Sequence, residues 1–500
     1  MSLKRDWLAE RAAVSPGQVG LQIDEQQWTY QELDGLTGRL ARQLNRLGVQ
    51  PGWPVAALML NSLDYVLLVH AAARTGAILV PLNSRLTVPE LEYQLEKSGA
   101  RLLFCDDKLL PVASELAANH AVVNMGALPD PGVQLLADVP ERELPLPAFD
   151  LNNVQAIVFT SGTTGRPKGV RLTFANHFWS ANSSAYRLGL DINERWLSCL
   201  PFYHVGGLAV LFRSCLYGTV VVLHDRFDVA RVSDSLDRDG ITLVSLVPTM
   251  VYRLLEHRGE RPWPATLRHL LLGGAAAPAD LVARCQALGI PVTTTYGMTE
   301  ASSQIATLRP EQVPAKPHSV GKPLLFTRVR IVDEQGKDQP AGLYGEILVS
   351  GPTVMAGYHD DPDATARTLR DGWLYTGDIG YLDEDGDLVV IQRRHDVIIS
   401  GGENVYPAEV EAVLRQHPAV AAAAVAGVAD QEWGQRVVAL VVPNSPIEPA
   451  ELLEFSRAQL AGYKQPRQIF FVSELPLTAN GKIARQAVRE QLAALVENDG

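Results

Sequence analysis

Cysteine is scarce in this chain of 500 residues, and the four that occur lie far apart. They form neither a CxxC pair nor another metal-ligand spacing, which argues against a zinc ribbon. Isolated cysteines are typical of reduced thiols, so we expect a cytoplasmic protein. The four residues are Cys105, Cys199, Cys215 and Cys285.

Positive charge is also in deficit. The chain has 44 Lys and Arg against 56 Asp and Glu, which gives a net charge of -12 at pH 7. A nucleic-acid-binding protein would show a basic face, so we expect no nucleic-acid partner. Small anionic ligands stay compatible with this balance, because local donors hold them.

Long apolar runs are missing as well. No stretch of ~20 apolar residues occurs, so no membrane span is predicted. The N-terminus turns charged at Lys4 and Arg5, and we therefore expect no signal peptide. An apolar content of 47% and a length above that of a usual single domain predict a globular protein with two or more domains.

Helix and strand patterns alternate along most of the chain. Thr29 and Glu32 form a capping-box pattern before leucines at helical spacing, and the apolar run 55–60 predicts a buried strand. Similar buried strands are predicted at 220–223, 243–246, 270–272 and 292–295. Such alternation indicates doubly wound parallel sheets.

Two changes of pattern suggest the domain organisation. After about residue 321, short strand patterns predict a β-rich subdomain, and from about Arg393 the pattern becomes that of a compact α+β unit. We therefore predict an α/β protein with a large N-terminal domain, residues 1–392, and a small C-terminal α+β domain, residues 393–500.

The segment from Thr160 to Gly169 contains no apolar residue and follows a predicted strand at 156–159. Small residues let backbone N–H groups approach a polyanion, and a lysine adds a positive charge. The spacing differs from the Walker motif, because Arg166 and Pro167 separate Gly165 from Lys168. An ordinary turn is the alternative to a nucleotide phosphate loop, which would consist of Thr160, Ser161, Gly162, Thr163, Thr164, Gly165 and Lys168.

Two further segments follow predicted strands and carry ligand-binding residue types. The ring of Tyr296 could stack on a flat base, and Glu300 could hold Mg²⁺. Asp378, in Tyr-Thr-Gly-Asp, could accept hydrogen bonds from both hydroxyls of a ribose. Each segment, taken alone, is also compatible with an ordinary turn.

The remaining candidates are single residues in polar or glycine-rich surroundings. His204 precedes two glycines, and a structural and a catalytic role are both open for it. Arg393 begins a charged segment before a Gly-rich loop at 400–402, as expected of a hinge. Lys482 follows Asn-Gly, and on its own it could equally be a solvated lysine in a turn.

Together and in this order, these segments resemble the adenylate-forming superfamily, which includes acyl- and aryl-CoA synthetases, peptide-synthetase adenylation domains and luciferases. The resemblance covers nearly the whole chain. It implies ATP and Mg²⁺ as cofactors and CoA as a co-substrate. The further partner would be a small carboxylic acid. The resemblance also implies a mobile C-terminal domain that rotates about a hinge near residues 394–396. Whether the chain forms a homo-oligomer is left open.

The resemblance implies a role for each matching residue. The phosphate loop would hold the β- and γ-phosphates, and Glu300 would bind the magnesium ion. Thr299, at the α-phosphate, and Lys482, between the acid and the α-phosphate, would be catalytic together with His204. The other ATP-binding residues would be Gly273, Gly274, Ala275, Thr295, Tyr296, Gly297, Met298, Asp378 and Arg393. The path of CoA would be lined by Ser400, Gly401 and Gly402.

The acid pocket is expected beside the Tyr296 segment. A fatty-acid pocket should be apolar, since each buried CH₂ contributes ~0.8 kcal/mol. Polar residues there favour a hydrogen-bonding acid, unless their side chains bond locally to the backbone. Arg213 could help to bind the acid, although we expect it to be a charge on the surface of a helix. The predicted acid-binding residues are His204, Gly206, Gly207, Ser302, Ser303 and Gln304.

Segments 173–178, 200–208 and 296–305 look most similar to the o-succinylbenzoate–CoA ligases of menaquinone biosynthesis within this superfamily. That acid carries a benzoate carboxylate beside the activated succinyl carboxylate, which suits a polar pocket. The alternatives are another aryl- or medium-chain acyl-CoA synthetase, a stand-alone adenylation enzyme that loads a carrier protein, and a non-catalytic nucleotide-binding protein.

Overall fold

The computed structural model describes residues 2–3, 6–142, 149–160, 167–275, 277–392, 397–476 and 483–499. The helices are α1 (Trp7–Val14), α2 (Tyr30–Arg46), α3 (Leu63–Thr75), α4 (Val88–Ser98), α5 (Leu110–Leu116), α6 (Phe174–Leu188), α7 (Val205–Tyr217), α8 (Val229–Arg238), α9 (Pro248–Arg258), α10 (Ala279–Ala287), α11 (Pro362–Thr368), α12 (Pro407–Leu414), α13 (Pro449–Arg457) and α14 (Arg485–Asp499).

The strands up to residue 332 belong to the larger, N-terminal part. They are β1 (Ser2–Leu3), β2 (Val19–Ile23), β3 (Gln26–Thr29), β4 (Pro54–Leu58), β5 (Ile78–Pro81), β6 (Leu102–Cys105), β7 (Ala121–Asn124), β8 (Val133–Leu135), β9 (Phe149–Asp150), β10 (Val154–Thr160), β11 (Lys168–Thr173), β12 (Arg195–Ser198), β13 (Val220–Leu223), β14 (Leu243–Leu246), β15 (His269–Leu272), β16 (Val292–Met298), β17 (Ser303–Leu308), β18 (Lys322–Pro323) and β19 (Arg328–Val332).

The later strands complete the β-rich subdomain and form the C-terminal sheet. They are β20 (Gly345–Ser350), β21 (Leu369–Arg370), β22 (Trp373–Leu382), β23 (Leu388–Gln392), β24 (Ile398–Ser400), β25 (Glu403–Val405), β26 (Val420–Asp430), β27 (Gly434–Pro443) and β28 (Gln468–Phe471).

Two mainly parallel sheets dominate the N-terminal domain. One has the strand order β11-β10-β5-β4-β6-β7-β8, and the other has the order β18-β17-β16-β15-β14-β12-β13-β2-β3. All four residues of β13 and of β15 are buried, as expected for strands covered on both faces. The prediction of doubly wound parallel sheets is confirmed.

Antiparallel strands follow in the chain. β19, β20, β22, β21 and β23 form a five-stranded sheet, in which β22 alternates buried and less buried residues. A separate five-stranded sheet of β24 to β28 is packed by α12, α13 and α14 and forms the smaller C-terminal domain. The predicted β-rich subdomain and α+β unit are therefore both present.

Local signals account for the helix ends. The capping box of Thr29 and Glu32 is present at the start of α2, and Leu33, Leu40 and Leu44 on its inner face are buried. Helix α3 ends at Gly76, which adopts a left-handed φ of 72°. None of the described helices combines the length and the apolarity that crossing a bilayer requires.

Candidate functional site

A cavity of about 650 Å³ opens where several parallel strands end. Residues at or just beyond the carboxyl ends of β10, β12, β14, β15 and β16 line it, as is usual for ligand sites in open α/β sheets. Many of the predicted site residues meet there: Thr160, His204, Gly206, Gly273, Gly274, Thr295, Gly297, Met298, Thr299, Glu300, Ser303, Gln304, Asp378, Gly401 and Gly402.

Other predicted residues lie beside the cavity without lining it, namely Lys168, Gly207, Ala275, Tyr296, Ser302 and Ser400. Several fall outside the described residues: Ser161, Gly162, Thr163, Thr164, Gly165, Arg393 and Lys482. Their roles remain predictions.

Tyr296 and Asp378 connect two sheets at one side of the cavity. The hydroxyl of Tyr296 donates a hydrogen bond of 2.6 Å to Oδ2 of Asp378, and both residues are buried. Strand β16 continues to Met298, three residues beyond the predicted strand, because β17 pairs with it. A Cβ added at Gly297 would lie 1.8 Å from the main-chain oxygen of Ser303, so only glycine permits this pairing.

The ends of the predicted phosphate loop are held together by a strand pair. Thr160 ends β10 and lies opposite Lys168, the first residue of β11. The Lys168 ammonium lies 5.2 Å from the centre of the Tyr358 ring, and the Tyr358 hydroxyl donates a hydrogen bond of 2.9 Å to Oε1 of Glu300. This chain of contacts places the lysine and the buried carboxylate at the same side of the cavity.

The polar residues after Glu300 differ in what their side chains do. The Ser302 hydroxyl donates to the main-chain oxygen of Thr353 at 2.8 Å, which is the local bonding to the backbone that is the alternative to binding the acid. Ser303 and Gln304 line the cavity. The Gln304 amide nitrogen donates to Thr307 at 3.2 Å, whereas its buried Oε1 has no hydrogen-bond partner among the described residues.

The expectation that Arg213 is a surface charge is wrong. Its residue exposure is 3%, and it lines the cavity from α7. Nη2 donates to the Ser180 hydroxyl at 3.2 Å, and the guanidinium lies 5.7 Å from the centre of the Trp196 ring. Within the described part of the chain, Arg213 forms no ion pair, and its Nε has no hydrogen-bond partner. Burial lowers the pKa of Arg213.

His204 contacts a carboxylate that sequence reasoning missed. Its Nε2 lies 3.1 Å from Oε2 of Glu403, while the other oxygen of Glu403 accepts from Tyr203 at 3.2 Å and contacts Arg85 at 3.4 Å. Burial raises the pKa of Glu403, but the contacts with His204, Arg85 and Tyr203 outweigh it and lower the pKa to about 2. Glu403 directly follows the predicted Gly-rich loop, which was the available signal.

The Gly-rich loop of the C-terminal domain reaches the same cavity. Gly401 and Gly402 have φ angles of 59° and 83°, which favour glycine. A Cβ added at Gly402 would lie 3.1 Å from the Val247 side chain, at the end of β14. The C-terminal domain therefore closes one side of the cavity in this structure.

Comparison with known proteins finds relatives that align with nearly the whole chain. A sequence model of the AMP-binding enzyme family matches residues 8–359, and one of the AMP-binding enzyme C-terminal domain matches residues 409–482. The 2-succinylbenzoate–CoA ligase of Geobacillus sp. (strain WCH70) is 42% identical, over 99% of this chain and 98% of that protein.

Two solved structures of o-succinylbenzoate CoA synthetase from Bacillus subtilis superpose differently on this chain. A double mutant bound with the product analogue OSB-NCoA has a TM-score of 0.92 at 39% identity, covering 98% of this chain and 99% of that one. The complex with ATP and a magnesium ion has a TM-score of 0.75 at 40% identity, covering 98% of this chain and 100% of that one. Sequence identity and coverage are nearly equal for the two structures. The difference in TM-score therefore indicates that the parts of this chain are arranged more like those of the first structure.

Proposed function

Because the chain belongs to the AMP-binding enzyme family, we propose that it is an acid–CoA ligase that forms an acyl-adenylate and then a CoA thioester of 2-succinylbenzoate. Family membership confirms the resemblance predicted from the motifs. Substrates in the relatives' complexes, namely ATP with magnesium and a CoA conjugate, support the same substrates here. We place the reaction in menaquinone biosynthesis and in the cytoplasm, and the four free, buried cysteines agree with that compartment.

The choice of 2-succinylbenzoate as the acid rests on the buried guanidinium of Arg213. A buried charge without a partner is costly, so a site that keeps one needs an anion from its ligand. The succinyl carboxylate is consumed in the reaction, whereas the ring carboxylate of 2-succinylbenzoate persists throughout. We assign the ring carboxylate to Arg213, since a planar guanidinium can bind a carboxylate through two hydrogen bonds. A monocarboxylic acid would leave Arg213 unpaired.

In the first half-reaction, an oxygen of the succinyl carboxylate attacks the α-phosphorus of ATP, and pyrophosphate leaves. We assign the ribose to Asp378, the adenine to Tyr296 and the segment 273–275, and the α-phosphate to Thr299. Two anions must approach each other, so positive charge is needed where negative charge accumulates. Lys168 and Lys482 would supply it from the chain.

The residues present fit a magnesium ion. Glu300 is buried, lines the cavity, and forms no ion pair with any described residue, so its carboxylate is available to a hard cation. When bound there, Mg²⁺ would neutralise phosphate charge. The hydroxyl of Tyr358 holds one oxygen of Glu300 and thereby orients the carboxylate.

In the second half-reaction, the thiolate of CoA attacks the acyl carbonyl carbon, and AMP leaves as the C–O bond breaks. We propose that residues 393–500 form a domain that brings the loop of Gly401 and Gly402 to the cavity for this step, and that residues 1–392 form the adenylation domain. The closer superposition on the relative bound with a CoA conjugate supports this arrangement. The separate C-terminal sheet, which starts at β24, supports the boundary.

Product analysis by mass spectrometry tests the proposal. The purified chain is incubated with ATP, Mg²⁺ and CoA, and with 2-succinylbenzoate, 4-oxo-4-phenylbutanoate, benzoate, cinnamate, octanoate or succinate. 4-Oxo-4-phenylbutanoate lacks only the ring carboxylate and is the matched control. We expect AMP and a thioester with 2-succinylbenzoate, a much slower reaction with 4-oxo-4-phenylbutanoate, and no thioester with the other acids. A thioester with 4-oxo-4-phenylbutanoate at an equal rate would contradict the assignment to Arg213, and a thioester with a different acid only would overturn the substrate. Adenylation without turnover of free CoA would favour the carrier-loading alternative.

A further inference from the structure

The N-terminal and C-terminal domains meet at a buried cluster of three charges. The ammonium of Lys464, in the segment after α13, lies 2.7 Å from Oε1 of Glu90 and 2.8 Å from Oε1 of Glu409. Glu90 is in the first turn of α4, in the N-terminal domain, and Glu409 is in the first turn of α12, in the C-terminal domain. The Lys464 side chain is only 3% exposed, so this contact is shielded from water.

Neighbouring contacts join the same two segments. The other oxygen of Glu90 accepts a hydrogen bond of 3.0 Å from the main chain of Ala461, and the Thr87 hydroxyl donates to the main-chain oxygen of Gln459 at 3.3 Å. One residue before Lys464, the Tyr463 hydroxyl contacts Asn83 at 3.2 Å, and the Arg85 guanidinium lies 4.7 Å from the Tyr463 ring centre. Lys464 thus lies among several contacts that join the two domains, and Glu403, through His204 and Arg85, joins them at a second charged contact.

Lys464 places one positive charge between two carboxylates at this contact. Two carboxylates and one ammonium are buried together, and Oε2 of Glu409 has no hydrogen-bond partner among the described residues. Burial opposes the charged form of Lys464, but the carboxylates outweigh it and raise the pKa of Lys464. Burial raises the pKa of Glu409 even beside the lysine, and removing the ammonium would leave Glu90 and Glu409 without their shared counter-ion, which opposes closure.

We propose that Lys464 is a positioning residue, which holds the C-terminal domain against the N-terminal domain in the arrangement that forms the thioester. It contributes to the second half-reaction and not to the first. This inference rests on the two half-reactions proposed above. Its basis is the observed bridge between Glu90 and Glu409, together with the closer superposition on the relative that holds a CoA conjugate.

Measuring the two half-reactions separately tests the role of Lys464. Pyrophosphate release reports adenylation, and thioester formation from supplied acyl-adenylate and CoA in a single turnover reports the second step. For Lys464→Met we expect the second step to slow by about tenfold or more, with adenylation within about twofold of wild type. Lys464→Arg should restore most of the rate. Arg457→Met removes a charge from an exposed pair in α13 and is the matched control.

A second substitution separates positioning from a general loss of stability. Glu90→Gln removes one carboxylate and retains the capping box with Thr87, because glutamine also serves at that position. Combined with Lys464→Met, it should recover part of the lost thioester rate, because one carboxylate fewer is left without a counter-ion. Equal losses in both half-reactions, or a double variant slower than Lys464→Met alone, would overturn the proposal.

A distance measurement makes the test independent of the acid. Spin labels on Glu115→Cys in α5 and Glu490→Cys in α14, both exposed, report the interdomain distance, since the four native cysteines are buried. With CoA present, Lys464→Met should depopulate the distance seen in this structure, and an unchanged distribution would overturn the proposal. If the wild type failed to use 2-succinylbenzoate, only the proposed substrate would be contradicted. The proposed role of Lys464 would be unaffected, because no acid takes part in the distance measurement.

Discussion

The hydroxyl of Tyr296 donates a hydrogen bond of 2.6 Å to the Asp378 carboxylate, joining strand β16 of one sheet to strand β22 of another. The ring of Tyr296 is assigned to adenine and the carboxylate of Asp378 to ribose. This hydrogen bond would therefore fix the two proposed nucleoside contacts relative to each other.

Substituting Tyr296 by Phe tests that coupling. The ring is retained, but Asp378 loses a donor, and a hydrogen bond to a charged group contributes ~1.5–3 kcal/mol. We expect the KM for ATP to rise about tenfold, with kcat within about twofold, since orientation of the carboxylate affects nucleotide binding first. Steady-state kinetics with varied ATP measures this, and Tyr381→Phe in the same sheet as Asp378 is the control. An unchanged KM would show that Asp378 needs no help from Tyr296.

Substituting Arg213 by Met tests the proposed contact with the ring carboxylate. Removing one partner of a buried charge pair costs ~2–5 kcal/mol, so kcat/KM for 2-succinylbenzoate should fall by about 100-fold. The KM for ATP should not change. With 4-oxo-4-phenylbutanoate, which has no ring carboxylate, the variant should equal or exceed the wild type. Parallel losses with both acids would assign Arg213 a structural role instead.

Two adjacent glycines at the start of α7 predict opposite responses to alanine. A Cβ at Gly207 would lie 2.3 Å from the main-chain oxygen of Pro201, whereas a Cβ at Gly206 would meet its nearest atom, in Leu200, at 3.8 Å. Gly207→Ala must displace backbone and should lower the free energy of unfolding by ~2 kcal/mol or more. Gly206→Ala should leave stability unchanged or raise it by up to ~1 kcal/mol, because alanine favours the helix.

Urea unfolding of both variants measures this difference. If Gly207→Ala proved as stable as Gly206→Ala, the close approach of α7 to the segment before it would be absent in solution. Activity provides a second reading, since Gly206 lines the cavity and a methyl group there would approach the acid.

The sequence was sufficient for several central strands of the sheets, because strands covered on both faces are largely apolar, but it did not predict the central strand β12. Strands 220–223 and 243–246 have the predicted bounds, and the predicted strand at 292–295 only failed to include its last three residues. That extension depends on β17, a partner strand whose pairing no local pattern encodes. The motif residues that end these strands meet in one cavity because parallel strands share a carboxyl edge.

The prediction of a surface position for Arg213 is wrong because a lone charge in a helix usually, but not here, marks the solvent face. Helix α7 is buried on nearly every side, and a helix that is apolar all round has no solvent face. A single arginine in such a helix is the signal that could have predicted a buried ligand contact. Lys464 and Glu90 gave no such signal, since they lie 374 positions apart and belong to different domains.

A buried histidine, His177, predicts how stability depends on pH. His177 packs on Phe212 with 4.6 Å between the ring centres, and neither ring nitrogen has a hydrogen-bond partner in the described part of the chain. Burial, and then the charge of Arg213, lower the pKa of His177 from 6.5 to about 3. The folded protein therefore keeps this ring neutral at pH values where the unfolded chain protonates it.

The sign follows from proton binding. Between pH 6.5 and about 3, the unfolded state binds a proton at His177 that the folded state does not, so stability falls as the pH is lowered. One such group contributes a slope of ~1.4 kcal/mol per pH unit.

His177→Phe removes this group and should flatten the pH dependence of the free energy of unfolding by about that slope between pH 6 and 4.5. Urea unfolding at several pH values measures the slope, with the exposed His257→Phe as the control. A His177→Phe slope equal to that of wild type would mean that the ring is already protonated in the folded protein, and hence that water or a carboxylate reaches it beside Arg213.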